Sequence, residues 1–355
     1  MTTDSKRIIF LGAGAVGSYL GGWLDHTGHD VTIIDPWAEQ VETICADGLV
    51  VEGPHETFVA HPKMFHFHAN ELVARQEKFD IGFIAMKAYD TRWAAHFIDP
   101  YVKPGGYIVS SQNCWTDPIV AAAVGANRAV GLVMSSISVA MWEAGKVERP
   151  GKTRRRDEGH DVFRAGEHDG SESLRTRELI EMLDPIDAGR TTSNLWGERW
   201  AKLSQNSMGN PVVAVSDMGM ADLNRDPRGR ELQIRLAAEC ARVGLALGYK
   251  VEKFGGMDPK VWADSDRGDI YEELDSVMLA KAGGSNWRPS MGQDVVKGRP
   301  TEINHMNGFV VEKAAEAGVE APVNAAITEA IRAIDAGTLK PGRDNIEAIL
   351  TRAGY

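Results

Sequence analysis

The sequence predicts an α/β fold, a doubly wound parallel sheet followed by a mainly α-helical domain. Three observations predict it. Short apolar runs alternate with helix-period segments through the first part of the chain. A glycine-rich turn joins the first run to the first helical segment. From about Ser193 onward strand-like runs give way to long helical stretches. The 355 residues fit two domains better than one, and the change of texture puts them at 1–193 and 194–355.

The elements follow in order. Residues 6–11 (KRIIFL) are a short apolar strand, and a helix is expected over 16–26. Residues 30–34 (DVTII) form a second strand of the fully buried type, with a helix over Ala38–Asp47. Later strand candidates are 80–85 (DIGFIA), 107–110 (YIVS) and 129–139 (AVGLVMSSISV). Strands alternating with helices argue for parallel pairing, with the crossovers on the two faces of the sheet.

Helices are then expected over 195–210, 230–247, 303–317 and 324–336. Within 230–247, Leu232, Leu236, Cys240, Val243 and Leu247 recur at helical spacing, and Gly248 supplies the stop. Between the domains, residues 151–169 are rich in Arg, Asp, Gly and His and read as a solvated strand-and-loop connection. The run Arg154–Arg156 is followed at once by Asp157 and Glu158, which makes it a solvent face rather than a binding patch.

Composition limits the partners. A formal net charge of −11 lacks the positive field that phosphate-rich nucleic acid or an anionic membrane requires. No apolar run approaches the roughly 18 residues that would span a bilayer. The polar N-terminus has no signal-peptide core. Cys45, Cys114 and Cys240 are far apart and form no ligand spacing, so they read as thiols of a cytoplasmic protein. A small-molecule partner remains.

Gly12-Ala13-Gly14-Ala15-Val16-Gly17 matches GxGxxG between a strand and a helix. The first glycine permits the tight turn, the second lets backbone approach a pyrophosphate, and the third allows helix and sheet to pack. The helix N-terminus at Ala15, Val16 and Gly17 offers N–H groups to an anion. The unit reads as a dinucleotide-binding Rossmann domain. Asp35 ends the second strand, eighteen residues after Gly17. It can accept both adenosine ribose hydroxyls and would repel a 2′-phosphate, which favours NAD over NADP. Its competing role is a helix cap.

The second domain opens with Trp200-Ala201-Lys202-Leu203, then Asn206 and Asn210. On a helix each step of four advances about 40°, so Lys202, Asn206 and Asn210 share one face. A lysine with two amides on a partly apolar stripe could donate a proton and fix hydroxyl or carbonyl oxygens. An exposed lysine beside two backbone-bonding amides would look the same. His66 and His68 form an HxH pair with no third ligand nearby in sequence, so no metal site is expected.

Further motifs complete a pattern: Met86-Lys87-Ala88-Tyr89-Asp90-Thr91, Gln112-Asn113, Trp200 through Pro211 (WAKLSQNSMGNP), Ser290 through Asn304 (SMGQDVVKGRPTEIN), Asn307-Gly308 and Pro322-Val323-Asn324. Together with the glycine turn they make the chain resemble the ketopantoate reductase (2-dehydropantoate 2-reductase) family over nearly its whole length. The resemblance implies a helical second domain like the C-terminal domain of 6-phosphogluconate dehydrogenase. It implies hydride transfer between nicotinamide C4 and a 2-keto carbon, with Lys202 as general acid and Glu302 binding a substrate hydroxyl and influencing Lys202. Asn206 and Asn210 would hold the substrate's hydroxyl and carbonyl, Ser290 and Asn113 its carboxylate, and Lys87 would lie along the cofactor. Ser290 as a helix N-cap and Glu302 as a surface acid at a helix start are the competing roles.

Three departures from the family pattern matter. Asp35 stands where NADP-using members usually carry arginine, which predicts NADH preference. Cys114, followed by Trp115, replaces a glycine after the Asn113 position. Residues 249–287 form a longer segment than the family's, with Phe254, Trp262, Tyr271 and Trp287, suited either to a lid or pocket wall or to an added surface helix. The expectation is an NAD(H)-dependent dehydrogenase acting on a 2-hydroxy or 2-keto acid bulkier than ketopantoate. An ordinary 2-dehydropantoate 2-reductase and a non-catalytic nicotinamide sensor are the alternatives, and a homodimer is a possible assembly.

Overall fold

The computed structural model describes residues 5–54, 56–68, 77–135, 137–151 and 161–355. The chain divides into two compact units, Met1–Leu195 and Trp196–Tyr355. The run Arg154–Arg156 with Asp157 and Glu158 lies outside the described residues.

Twelve strands are described in the first unit. They are β1 (Arg7–Leu11), β2 (Asp30–Asp35), β3 (Leu49–Glu52), β4 (Thr57–Ala60), β5 (Lys63–His66) and β6 (Phe79–Ile84). After them come β7 (Val102–Ser110), β8 (Ala129–Met134), β9 (Ala140–Glu143), β10 (Lys146–Glu148), β11 (Phe163–Gly166) and β12 (Gly189–Thr191). The main sheet has the order β5-β2-β1-β6-β7-β8-β11-β12. Its first six strands pair in parallel, while β11 runs antiparallel to β8.

Alternation along the strands builds a core on each face, as the two-residue period of a strand requires. Ile8, Phe10, Ile33, Ile81 and Phe83 point to one side, and Ile9, Leu11, Ile34 and Ile84 to the other. Phe10 stacks on Phe83 with ring centroids 4.5 Å apart. Helices α1 (Ala15–His26), α2 (Ala38–Asp47), α3 (Thr91–Ile98), α4 (Asp117–Val124) and α5 (Leu174–Leu183) fall between strands.

Three expectations change. The strand expected over 129–139 stops at Met134, before Ser135-Ser136, where polar side chains replace the apolar run. The connection expected to be solvated contains β11, whose Phe163 and Ala165 are fully buried in the sheet. A second sheet, order β4-β3-β10-β9, was not expected at all. Its Leu49, Val51, Ala60, Met141 and Val147 share a core with Tyr19 and Trp23 of α1.

Among the described residues the second unit is helical. It contains α6 (Leu195–Ser216), α7 (Met220–Arg225), α8 (Pro227–Ala246), α9 (Pro259–Ala263) and α10 (Ile270–Ala280). The remaining helices are α11 (Ser290–Val296), α12 (Asn307–Ala317), α13 (Pro322–Asp335) and α14 (Asp344–Arg352). Asp226 caps α8 by accepting the Arg228 and Gly229 N–H groups, and Pro227 takes the first helical position, where a missing N–H costs nothing.

Part of the 249–287 segment packs within the second unit. Phe254 and Trp262 are buried and stacked, with Trp262 Nε1 donating to Phe254 O at 2.9 Å. Arg230 of α8 donates to both Asp275 carboxylate oxygens of α10. Trp287, 43% exposed, stands apart from this packing.

Candidate active site

In the first unit the expected cofactor residues lie where four parallel strands end. Gly12 follows β1, Asp35 ends β2, Lys87 comes shortly after β6, and Asn113 shortly after β7. β1 stands between β2 and β6, which is where the strand order reverses. Open parallel sheets bind ligands at the carboxyl ends of strands beside such a switch point.

The three motif glycines differ in what surrounds them. Gly12 has φ +108°, and a Cβ there would come within 2.9 Å of Ala85 O. A Cβ on Gly17 would lie 1.9 Å from Gly12 O, so this glycine is what lets α1 sit on the turn. At Gly14 a Cβ would meet nothing within 4 Å. Among the described residues no contact accounts for the absence of a side chain at Gly14, and the open space suits an incoming pyrophosphate. The first helical bond runs from Ser18 N–H to Gly14 O, which leaves the Ala15, Val16 and Gly17 N–H groups without acceptors in the helix.

Asp35 is buried. Its Oδ2 accepts the Ala13 N–H and its Oδ1 accepts the Trp37 N–H at 2.8 Å. It is not the cap of α2, whose N-cap is Trp37, so the competing role does not hold.

Lys87 and Asn113 are half-buried. Their loops are joined by Gln112, a motif residue to which the sequence assigned no role. Its Nε2 donates to Met86 O at 2.8 Å and Thr91 Oγ1 at 2.9 Å. Cys114 is buried with φ +70°. An L-residue adopts this left-handed backbone at a cost of about 1–2 kcal/mol. His66 Nε2 donates to Pro36 O at 2.8 Å. Among the described residues no group of three or more His, Cys, Asp or Glu could hold a metal.

In the second unit Lys202, Asn206 and Asn210 all fall within α6, Lys202 half-buried and both asparagines buried. The helix continues past the expected end at 210, through Pro211, to Ser216. Trp200 fixes it against α8. Its Nε1 donates to Cys240 O at 2.9 Å, and its ring fills the space a side chain at Gly244 would need.

Asn210 Nδ2 donates to Ser290 Oγ at 3.3 Å, so residues eighty apart in sequence meet. Gly292 makes this possible, because a Cβ there would lie 2.6 Å from Val213 of α6. Ser290 is the first residue of α11, whose N-cap is Pro289, so its hydroxyl is not a cap. Glu302 is buried rather than a surface acid. The helix expected from 303 is preceded by a 3₁₀ turn at Ile303–His305, and α12 begins at Asn307.

Asn307, which sequence reasoning quoted only as part of a motif, donates through Nδ2 to Ser207 O at 3.0 Å and to Asn324 Oδ1 at 2.9 Å. Asn324 in turn donates to Glu239, whose carboxylate also accepts the Val323 and Asn324 backbone N–H groups. Burial pushes the Glu239 carboxyl up from its usual range.

A parallel sheet with a dinucleotide-type turn at its switch point, followed by a helical second unit, defines a class, the two-domain oxidoreductases. Within it the chain belongs to the ketopantoate reductase family. Residues 8–163 match the family model "Ketopantoate reductase PanE/ApbA", and residues 194–335 match "Ketopantoate reductase PanE/ApbA C terminal".

The chain is 26% identical over 341 residues to a 2-dehydropantoate 2-reductase of Archaeoglobus fulgidus, covering 94% of this chain and 99% of that one. It is 27% identical to the 2-dehydropantoate 2-reductase of Aquifex aeolicus, covering 94% and 98%. Among solved structures, a 2-dehydropantoate 2-reductase from Geobacter metallireducens superposes with TM-score 0.76 at 25% identity, covering 92% of this chain and 99% of that one. A D-mandelate dehydrogenase with NADH and anilino(oxo)acetate has TM-score 0.76 at 19% identity, covering 93% and 99%.

Proposed function

We propose that the chain is an NADH-preferring dehydrogenase that interconverts a 2-keto acid bulkier than ketopantoate and its 2-hydroxy acid. The observation that carries the reading is the polar stripe of Lys202, Asn206 and Asn210 on one helix, closed by Ser290, amid buried apolar neighbours such as Leu203, Met208, Val212 and Val213.

Gly12, Gly14 and the N–H groups of Ala15, Val16 and Gly17 would hold the pyrophosphate, and Asp35 the adenosine ribose. Lys87 and Asn113 would lie along the rest of the dinucleotide, and Asn113 would also bind the substrate's carboxylate. Bound NADH supplies the hydride. The Lys202 ammonium hydrogen-bonds the substrate's carbonyl oxygen and gives it a proton as negative charge develops there, a stabilisation made mainly in the transition state. Asn206 and Asn210 orient the carbonyl and a neighbouring hydroxyl. Ser290 binds the carboxylate, and Glu302 holds a substrate hydroxyl.

The NADH preference rests on Asp35, whose charge opposes a 2′-phosphate. The bulkier substrate rests on Cys114, which departs from the family glycine, and on the exposed Trp287 three residues before Ser290. The like-folded D-mandelate dehydrogenase, an enzyme of an aryl 2-hydroxy acid, is in keeping with it. Acidic charge and three free cysteines support a cytoplasmic enzyme.

Initial rates with NADH and NADPH, against ketopantoate and a panel of branched and aryl 2-keto acids, test the reading. Turnover of a bulkier acid with NADH is expected. A kcat/KM for ketopantoate within the usual enzyme range of about 10⁴–10⁸ M⁻¹s⁻¹ would make this an ordinary 2-dehydropantoate 2-reductase. Dinucleotide binding without turnover of any acid would favour a sensor.

A further inference from the structure

Three side chains grip one residue of the glycine turn. Ala13, between Gly12 and Gly14, donates its N–H to Asp35, and its C=O accepts from Ser18 Oγ at 2.9 Å and from Gln40 Nε2 at 3.1 Å. Gln40 is wholly buried on α2, and its Nε2 also lies 3.2 Å from Ser18 Oγ. Its Oε1 accepts the Gly145 N–H at 2.7 Å. Gly145 turns the chain between β9 and β10, and its own carbonyl accepts the Val50 N–H of β3. One glutamine side chain thus connects the glycine turn to the second sheet.

The peptide bond is planar and trans, so the C=O and N–H of one unit point in opposite directions. Drawing the Ala13 C=O inward to Ser18 and Gln40 turns the Gly14 N–H the other way. A side chain at Gly14 would meet nothing within 4 Å, so this peptide borders open space. A backbone donor held in advance costs an anionic ligand no reorganisation when it binds.

We propose that Gln40 is a positioning residue for the dinucleotide. It holds the Ala13–Gly14 peptide so that the Gly14 N–H faces the pyrophosphate, and it is itself oriented by Gly145 of the second sheet. The inference rests on the cofactor reading above. To that reading it adds a residue outside the GxGxxG turn and a task for a sheet that carries no residue of the site.

Binding of NADH and of ADP to the wild type, Gln40→Leu and Ser18→Ala, by NADH fluorescence and calorimetry, decides it. Gln40→Leu keeps the volume and removes both the donor and the acceptor. It should weaken NADH and ADP roughly tenfold, the scale of a lost buried hydrogen bond, with KM for NADH rising to match and kcat at saturating NADH within about twofold. Ser18→Ala, which removes one of the two donors to Ala13, should weaken both ligands by about threefold, and it carries the test if Gln40→Leu does not fold. A folded Gln40→Leu protein that melts lower but binds NADH and ADP like the wild type would make Gln40 a packing residue and overturn the proposal. A wild type that binds neither dinucleotide would overturn the cofactor reading itself.

Discussion

The side-chain amide of Asn307 donates to the carbonyl oxygen of Ser207 across 3.0 Å. Four residues after Ser207 stands Pro211, inside α6 and without an N–H, so the Ser207 carbonyl lacks its helical donor. Asn307 supplies what the proline cannot. It also ties the chain just after Glu302 to the helix that carries Lys202. Asn307→Ala should destabilise the protein by about 1–3 kcal/mol, the cost of leaving a buried carbonyl unpaired. Adding Pro211→Ala should recover part of that loss by restoring a backbone donor. Thermal melts of the two single variants and the double variant would refute the pairing if the effects simply added.

Lys202→Ala should lower kcat by about 10²–10⁴-fold while NADH binding is largely kept, because a proton donor acts in the transition state rather than in cofactor binding. Steady-state rates beside an NADH titration check this. A fall in affinity with kcat unchanged would assign Lys202 to binding.

Asp35→Asn removes the charge while leaving an acceptor for the Ala13 N–H. The ratio of kcat/KM for NADH over NADPH should fall by about tenfold, which corresponds to roughly 1.4 kcal/mol. An unchanged ratio would detach cofactor choice from this residue.

Cys114→Gly should change the melting temperature little. Relief of the left-handed backbone, about 1–2 kcal/mol, is offset by glycine's greater freedom in the unfolded chain, about 0.5–1 kcal/mol, and by lost side-chain packing. Activity toward ketopantoate should rise, since the family's small residue is restored. A large drop in melting temperature with no gain in that activity would show that the cysteine is there for packing.

Asp226 caps α8, and the Arg343 guanidinium, seconded by the Gly229 and Arg228 N–H groups, holds its carboxyl below the usual range. A depressed folded-state value contributes stability above the unfolded value of about 3.9, and that contribution is lost as pH falls through the lower folded value. Asp226→Asn keeps a good cap but cannot titrate. Its deficit against the wild type should be constant near neutral pH and shrink below about pH 4, as followed by urea unfolding across pH. A deficit that grew on acidification would reverse the sign.

The strands at 6–11, 30–34 and 80–85, the glycine turn and the acidic end of the second strand were legible in the sequence. Each is written by neighbours a few residues apart, through side-chain period and turn chemistry. The stripe of Lys202, Asn206 and Asn210 was legible too, because helical periodicity alone aligns it. The second sheet was not. Its strands are three or four residues long, and β3 pairs with β10 across nearly a hundred residues.

What the sequence determined by itself was local: the fold class, the cofactor turn and the lysine face, all dictated by backbone geometry within one or two turns of chain. Only the tertiary structure decided that Ser290 meets Asn210, that Asn307 answers the carbonyl freed by Pro211, and that Gln40 links Ala13 to Gly145. Those bonds join residues from 27 to 105 positions apart. Their partners are chosen by which buried polar groups the packing of distant elements brings face to face, since a buried donor or acceptor must find whatever partner the fold delivers.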